Sequence, residues 1–324
     1  MKRVLAAVLA GALLLTGCGT TEEPVKKGDT TTDPGGPVTY TDARGKTVTL
    51  KAPATKVVSL EWGETEMLVS LGVQPVGAAD TKGYTTWNTA AKLDASVKDV
   101  GMRGEPSVDS IAALQPDLIV MEQDSTAAVI DQLEKFAPVL VAKGSDASRN
   151  LDRMRDDFAL IAAAVGKADE ANKVLDDFDR ALADGKKKID AAGAAGKSFA
   201  IADGWKEGST VNIRMFGQGA LVSQLGIRLG LKNVWTGKVD EAWGLGQTDV
   251  EGMNVLKDAD LHFFYNASDG DDVFAQGLAG NAIWDSLSFV QKKQLHKMPN
   301  GIWTFGGPAS CKQYIEQLVK VYAP

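Results

Sequence analysis

One long amphipathic helix is predicted over Lys167–Asp190, and it constrains how the rest of the chain can fold. At 1.5 Å per residue this helix would be about 35 Å long, the width of a domain. Acidic residues occupy its first turn and lysines its last, which suits the helix dipole. Its interior Gly185 should cost about 1 kcal/mol relative to alanine. The apolar residues recur at helical spacing along one face, at Val174, Leu175, Phe178, Leu182 and Ile189.

Segments of similar pattern lie on both sides of this helix. VDSIAALQPDLIV (108–120) precedes it, and VEGMNVLKDADLHFF (250–264) follows it. Each runs from an acidic residue through a short amphipathic helix to an aspartate and an apolar strand. Strands that alternate with helices favour an α/β fold with mostly parallel sheets. We therefore expect two α/β lobes, 38–166 and 197–324, joined by the helix at 167–190 with a ligand cleft between them. The alternative is one large domain with an ordinary surface helix.

The N-terminus has the pattern of an export signal. Lys2 and Arg3 precede an apolar run, Val4–Leu15, which is about 18 Å long as a helix and too short for a hydrocarbon core of about 30 Å. The following Leu-Thr-Gly-Cys18 resembles the bacterial lipoprotein cleavage box. That resemblance implies a signal peptide and lipobox over 1–18, cleavage before Cys18, lipidation of the Cys18 sulfur and retention at the outer face of the cytoplasmic membrane. The alternative is a buried N-terminal helix with an incidental cysteine. The polar segment 19–37 is predicted to be a flexible tether.

Several classes of function are disfavoured by what the chain contains. A formal net charge of −7 and the lack of a basic stripe argue against nucleic-acid binding. The sequence has no Gly-x-Ser-x-Gly elbow and no phosphate-binding loop, so we do not expect an enzyme. His262 in a predicted strand and His296 in a predicted turn are too few for a His-rich zinc site, and structural roles are expected for both. Cys311, in the predicted last helix, is expected to be a buried thiol.

Tryptophan is concentrated in segments predicted as loops or strand ends. Connections at the carboxyl ends of strands face the ligand crevice in open α/β sheets, and several tryptophans there would form a rigid wall for a bulky ligand. Core filling is the alternative for about half of them. Arg103 and Arg214 lie beside glycines in predicted loops, where each would either donate hydrogen bonds to ligand oxygens or be a solvated surface residue. The tryptophans are Trp62, Trp87, Trp205, Trp235, Trp243 and Trp303.

Three motifs carry a family resemblance: Glu61-Trp62, the Gly-x-Arg-x-Glu-Pro of 101–106, and the late GIWTFGGP of 301–308. From Val38 onward the chain resembles the ferric hydroxamate siderophore-binding proteins of ABC importers. The resemblance implies a monomeric, lipid-anchored protein that delivers an iron(III)–siderophore complex to a permease. The siderophore already fills the coordination sphere of iron, so no cofactor and no metal ligand from the protein are expected. Cobalamin, haem and catecholate siderophores, which the wider family also takes up, are the alternative ligands.

Position by position, the resemblance implies a set of pocket residues. It places Arg103 where its side chain would donate to the iron-bound hydroxamate oxygens. The other residues implied are Trp87, Trp243 and Trp303, with Trp62 and Tyr84 as additions, while Trp205, Arg214 and Phe305 are predicted from their loop context alone. One departure affects ligand choice, because the tyrosine that often follows the Asp-Leu-Ile-Val strand is replaced here by Met121-Glu122-Gln123.

The resemblance also implies one permease-docking carboxylate on each lobe, at Asp109 and Glu251. Asp109 is one methylene shorter than the usual glutamate. The alternative is helix capping, because Thr248-x-x-Glu251 has the pattern of a capping box and Ser107 can cap the helix that Asp109 begins. A carboxylate can perform both roles, since a helix N-terminus presents charge rigidly.

Overall fold

The computed structural model describes residues 35–123, 127–208, 210–268 and 270–324. Residues 33–324 form one compact unit. The predicted signal segment with Cys18 and nearly all of the predicted tether lie outside the described residues. Within the described ranges, no helix has the length and apolar character needed to cross a membrane.

A hairpin and a parallel sheet form the first part of the fold. β1 (Val38–Thr41) and β2 (Thr47–Leu50) pair antiparallel. The five-stranded sheet has the order β5-β4-β3-β6-β7 and is parallel throughout. Its strands are β3 (Val57–Ser59), β4 (Gly77–Ala78), β5 (Lys98–Asp99), β6 (Leu118–Glu122) and β7 (Val139–Ala142). The helices between them are α1 (Trp62–Ser70), α2 (Thr81–Trp87), α3 (Val108–Ala113) and α4 (Ala127–Leu133).

Two helices connect this sheet to the second one. α5 (Asn150–Ala164) ends at a turn where Gly166 has φ +68°, and a Cβ there would lie 2.7 Å from Pro53. α6 (Ala168–Ala191) follows and confirms the predicted connecting helix, with each end one residue later than expected. Because Phe178 and Ile189 are fully buried, the apolar face predicted from helical spacing is the face that packs.

A mixed sheet forms the second part. Its order is β11-β9-β8-β12-β13, with β10 also paired to β8. The strands are β8 (Ser198–Glu207), β9 (Thr210–Phe216), β10 (Lys232–Asn233), β11 (Leu245–Thr248), β12 (Leu261–Asn266) and β13 (Leu295–Lys297). β9 and β11 run antiparallel to their neighbours, whereas the other pairs are parallel. The helical segments are α7 (Leu221–Arg228), a 3₁₀ turn (Gly252–Leu256), a π turn (Val273–Gly277), α8 (Ala282–Ser286), α9 (Ser288–Gln291) and α10 (Pro308–Tyr322).

Two predicted loop segments are strands in this sheet. Trp205 and Arg214 lie in the long β8–β9 hairpin, because antiparallel pairing continues through residues that the flanking glycines had suggested were loops. His296, predicted in a turn, lies in β13 beside β12. Its Nε2 is 2.7 Å from Nδ1 of His262, so the two imidazole rings are hydrogen-bonded to each other.

The largest apolar core joins the two sheets through α5, α6, α7 and α10. Phe199 of β8 and Cys311 of α10 are both buried in it, which confirms the predicted buried thiol. Gly185 of α6 is also buried, and a Cβ there would lie 2.8 Å from Leu229 Cδ2. The weak position of the predicted helix is therefore a point of close packing between α6 and its neighbours.

A buried carboxyl group holds α10 against α1. Glu66 accepts hydrogen bonds from the backbone N of Ser310 at 2.9 Å, from its Oγ at 2.6 Å and from Asn88 Nδ2 at 2.6 Å. The N-cap of α10 is Gly307, which has no side chain to cap the helix. Glu66 lies in α1 and accepts a hydrogen bond from a backbone N–H in the first turn of α10. It therefore replaces a side-chain cap and fixes the segment that enters α10.

Candidate functional site

A cavity of about 330 Å³ lies where elements of both sheets meet α5. The first part contributes the start of α1, the loop at Arg103 and the end of β6. The second part contributes β9, the loop at Trp243 and the segment 303–306 that leads into α10. The carboxyl end of β6 thus opens into the cavity, as expected for ligand crevices in open α/β sheets.

Arg103 projects from a short loop closed by a bridge between Gly101 and Pro106. Its Nε lies 2.7 Å from a carboxyl oxygen of Glu61, which is buried at the start of α1. The guanidinium carbon is 4.2 Å from the ring centroid of Trp62 and 5.3 Å from that of Trp303. Neither terminal nitrogen of Arg103 donates to another described residue, so both can donate to a ligand.

Arg214 has the same environment on the second sheet. It lies opposite Asp203 in the β8–β9 register, and its Nε and Nη2 donate to the two oxygens of that carboxylate. Its guanidinium lies 5.3 Å from the ring of Phe305 and 6.0 Å from that of Trp205. Each cavity arginine is therefore paired with a carboxylate and placed over aromatic rings.

Trp303 is the centre of an aromatic cluster beside the cavity. Its ring centroid is 4.9 Å from that of Trp62, 5.9 Å from Trp87 and 5.2 Å from Phe305, all with edge-to-face geometry. Trp243 packs edge-to-face on Phe305 at 5.2 Å. The buried Nε1–H of Trp303 has no hydrogen-bond partner within the described part of the chain. The cluster thus presents a wall of interlocking aromatic rings and one buried donor.

Four acidic side chains also belong to the polar lining, and none of them was predicted as a pocket residue from the sequence. Glu61, Glu64, Glu122 and Asp157 all border the cavity and are buried. Asp157 of α5 forms an ion pair with Arg153 at 2.8 Å. It also accepts hydrogen bonds from two backbone N–H groups in the loop that follows β7. Nevertheless, no group of three or more His, Cys, Asp or Glu side chains among the described residues is arranged to hold a metal ion.

Burial is the largest influence on the pKa of two of these carboxyl groups, and it raises both values. Loss of hydration on burial, together with the negative charges of Glu61 and Asp157, raises the pKa of Glu64 to about 8. Burial also raises the pKa of Asp157, although Arg153 and backbone N–H groups oppose that effect. Glu64 is therefore mostly protonated at pH 7 in the empty cavity.

Comparison with known proteins identifies the family. A family model described as periplasmic binding protein matches residues 57–301. The chain belongs to the periplasmic binding protein family. This membership confirms the prediction of a binding protein rather than an enzyme.

Relatives of this periplasmic binding protein include iron-uptake proteins. It is 28% identical over 290 residues to the probable siderophore-binding lipoprotein YfiY of Bacillus subtilis, covering 88% of this chain and 87% of the relative. It is 24% identical over 263 residues to the iron(3+)-hydroxamate-binding protein FhuD of Escherichia coli, covering 81% and 85%. Relatives at similar identity carry other ligands in their names, among them Fe(3+)-citrate and petrobactin.

A solved structure shares the fold. The Fe3+–Desferal-bound siderophore-binding protein FhuD from Vibrio cholerae superposes with a TM-score of 0.73 at 22% identity, covering 83% of this chain and 99% of that one. This likeness confirms the predicted fold of two α/β lobes joined by a long helix.

The periplasmic binding protein brings five predicted pocket residues to the cavity surface: Arg103, Arg214, Trp243, Trp303 and Phe305. Four others do not line it. Trp62 lies beneath Arg103, and Trp87 packs behind Trp303. Tyr84 is buried, with its hydroxyl donating to Ala91 O at 2.6 Å, and Trp205 is 39% exposed on β8. Ligand contact by these four stays a prediction.

The two predicted docking carboxylates are exposed on this periplasmic binding protein. Ser107 caps α3 by accepting from Ser110 N at 3.2 Å, as expected, with Asp109 in the first turn. The predicted capping box of Glu251 is wrong, because the residue that accepts from Gly252 N is Asp249, at 2.9 Å. The carboxylate of Glu251 therefore has no capping role.

Proposed function

We propose that this protein captures ferric siderophores of the hydroxamate class outside the cytoplasmic membrane and delivers them to an ABC import permease. The coarser part of the proposal, an iron-chelate binding protein, is supported by family membership and by relatives named for siderophore binding. The finer part, hydroxamate rather than citrate or catecholate, is supported by the charges of the cavity.

The observation that carries the hydroxamate proposal is that both cavity arginines are already neutralised. Arg103 pairs with Glu61, and Arg214 pairs with Asp203. Glu64 and Glu122 add further acidic groups to the lining. A tris-catecholate complex of iron(III) is a trianion, and a buried trianion needs uncompensated positive charge around it. A tris-hydroxamate complex is neutral, so this lining suits it better.

The remaining cavity features also suit a neutral iron hydroxamate. Such a complex presents oxygens outward and has apolar linkers between its chelating groups. The terminal nitrogens of Arg103 and the Nε1–H of Trp303 are donors without partners among the described residues, and they can reach outward oxygens. Trp243, Trp303 and Phe305 provide flat apolar contact for the linkers. Iron is cargo held by the siderophore, so the protein does not need to supply metal ligands.

A fluorescence titration tests the proposed ligand class. Trp243 and Trp303 line the cavity, so a bound iron chromophore should quench the intrinsic tryptophan emission strongly. Ferrichrome and ferrioxamine should saturate the protein at lower concentrations than a ferric tris-catecholate, ferric citrate, haem or cobalamin. The iron-free hydroxamates should quench less and serve as the matched control. Tighter binding of any anionic chelate or of cobalamin than of every hydroxamate would overturn the proposed class.

We propose that Asp109 and Glu251 dock the protein on basic residues of the permease. Both are exposed, and each lies where a short helical segment begins ahead of an inner strand of its sheet, β6 or β12. Glu251 does not cap its 3₁₀ turn, so a structural role does not account for it. The proposed membrane anchor at Cys18 is supported by its cleavage-box sequence and by the lipoprotein name of YfiY.

The docking proposal predicts a double variant that still binds the siderophore but no longer supports its uptake by cells. Asp109→Asn with Glu251→Gln removes both charges at nearly constant shape, so siderophore affinity and melting temperature should stay near wild type. Uptake of radioactive iron–siderophore by cells should fall strongly. Asp176→Asn with Glu316→Gln, two exposed acids on α6 and α10, removes the same charge and should leave uptake unchanged. Full uptake by the first double variant would contradict docking at these residues.

A further inference from the structure

We propose that the carboxyl group of Glu64 forms a subsite for a positively charged arm of the ligand, so that the protein prefers iron hydroxamates that carry a protonated amine. This inference rests on the proposed function and narrows its substrate class. It assigns a role to a cavity residue that neither the aromatic wall nor the two arginines explain.

The position of Glu64 points to a ligand. It lies in the first turn of α1, is only 3% exposed and borders the cavity. Its Oε2 is buried and has no hydrogen-bond partner among the described residues. A buried carboxyl oxygen without a partner is costly, so such groups occur mainly where a ligand or a special role satisfies them. Glu64 lines the cavity, so a ligand group bound there can satisfy this oxygen.

The surroundings of Glu64 favour a cation rather than a second anion. Glu61 and Asp157 face it from the start of α1 and from α5, and Glu122 borders the same cavity from β6. The nearby Arg103 is ion-paired with Glu61 at 2.7 Å, and Arg153 is ion-paired with Asp157 at 2.8 Å. The positive charges near Glu64 are therefore already paired with other carboxylates, and a ligand ammonium would supply a positive charge that can pair with the Glu64 carboxylate.

The protonation state of Glu64 explains how the empty protein tolerates this arrangement. Burial and the charges of Glu61 and Asp157 raise the pKa of Glu64 to about 8, so the group is mostly neutral at pH 7. An ammonium beside it would favour the carboxylate and lower that pKa. Binding of a cationic ligand near pH 7 should therefore release a proton, and the affinity for that ligand should rise between pH 6 and pH 8. A neutral ligand should show neither effect.

A matched pair of probes isolates the charge of the arm. Ferrioxamine B carries a terminal primary amine that is protonated at pH 7, and its N-acetyl derivative has the same iron-binding core without the charge. Wild-type protein should bind the amine form about 10-fold or more tightly than the acetylated form, the range expected for hydrogen bonds to a charged group. In Glu64→Gln the ratio of the two affinities should fall to near one, because the amine form loses its charged partner.

A control variant and a second readout make the outcomes distinct. Glu241→Gln removes an exposed carboxylate two residues from Trp243 and should keep the wild-type ratio. Calorimetry of the wild-type protein in two buffers of different ionisation enthalpy should detect proton release with ferrioxamine B alone. This readout does not depend on a variant, so it decides the matter even if Glu64→Gln fails to fold.

Failure of the subsite differs from failure of the proposed function. If wild-type protein binds both probes equally and releases no proton with either, the cation subsite is wrong and the hydroxamate function stands. If Glu64→Gln weakens both probes by the same factor, the carboxyl group serves the neutral core of the ligand, and the subsite is again wrong. If neither probe binds, the hydroxamate function itself is wrong.

Discussion

Arg103→Ala is expected to weaken the binding of an iron hydroxamate about 10- to 150-fold, which corresponds to a loss of about 1.5–3 kcal/mol. The terminal nitrogens of Arg103 face the cavity without partners in the described protein, and stacking on Trp62 and Trp303 holds the guanidinium in place. Charge-assisted hydrogen bonds from this group to ligand oxygens would be lost in the variant. Fluorescence titration measures the change, and circular dichroism checks the fold.

A second substitution separates lost ligand contacts from a new electrostatic defect. Removal of Arg103 leaves the buried Glu61 without its ion-pair partner, which by itself destabilises the protein. The double variant Arg103→Ala with Glu61→Gln removes that unpaired charge. Its melting temperature should recover relative to Arg103→Ala, while its affinity should stay low. Recovery of affinity in the double variant would mean that Arg103 acts by neutralising Glu61 and not by contacting the ligand.

Local patterns in the sequence were sufficient to predict the framework of this fold. The connecting helix was placed within one residue at each end because its apolar spacing and charged ends are properties of a contiguous segment. β6 was recognised because a short apolar run followed a short amphipathic helix and an aspartate, and every residue of β6 is buried. Such features depend on few long-range contacts, so the sequence carries them directly.

Long-range pairing was the main source of error. Trp205 and Arg214 were predicted in loops because glycines flank them, but β8 and β9 pair through both residues. The capping box at Glu251 failed for a related reason. The motif was present, yet Asp249, two residues earlier, caps the turn and the segment is a 3₁₀ turn rather than an α-helix.

The acidic part of the site could not be predicted from sequence position. Glu64 and Asp157 influence each other across the cavity although they are far apart in the chain and lie on different helices. A glutamate in the first turn of a helix is ordinarily an exposed partner of the helix dipole, and nothing in the sequence marks this one as buried. Arg103 and Trp303 were easier, because recognisable motifs, Gly-x-Arg-x-Glu-Pro and GIWTFGGP, surround them.

Trp303→Ala is expected to lower the free energy of unfolding by about 3–5 kcal/mol and the melting temperature on the order of 10 °C. The indole is 9% exposed and contacts rings of Trp62, Trp87 and Phe305, so its removal leaves a cavity among aromatic groups that cannot collapse easily. Trp205→Ala is the matched control. That indole is 39% exposed, so its loss should lower the free energy of unfolding by clearly less than the loss of Trp303 does.

The backbone around Trp303 makes relaxation into this void difficult. The amide and hydroxyl groups of Thr89 both donate to Gly301 O, at 2.8 and 2.9 Å, and Asn266 Nδ2 donates to Ile302 O at 2.9 Å. The chain is thus held from the loop that follows α2 and from the end of β12 at the same time. A segment fixed at both sides cannot move inward to refill the space, which places the expected cost toward the upper end of the range.

Trp303→Phe separates the structural role of the ring from its role toward the ligand. Phenylalanine keeps most of the aromatic contacts, so the melting temperature should fall by only a few degrees. It lacks the Nε1–H, which is buried beside the cavity without a partner among the described residues. If that donor binds a ligand oxygen, the affinity for an iron hydroxamate should fall by about 1 kcal/mol, or roughly fivefold. A stable Trp303→Phe variant with wild-type affinity would limit Trp303 to shaping the wall and supporting the guanidinium of Arg103.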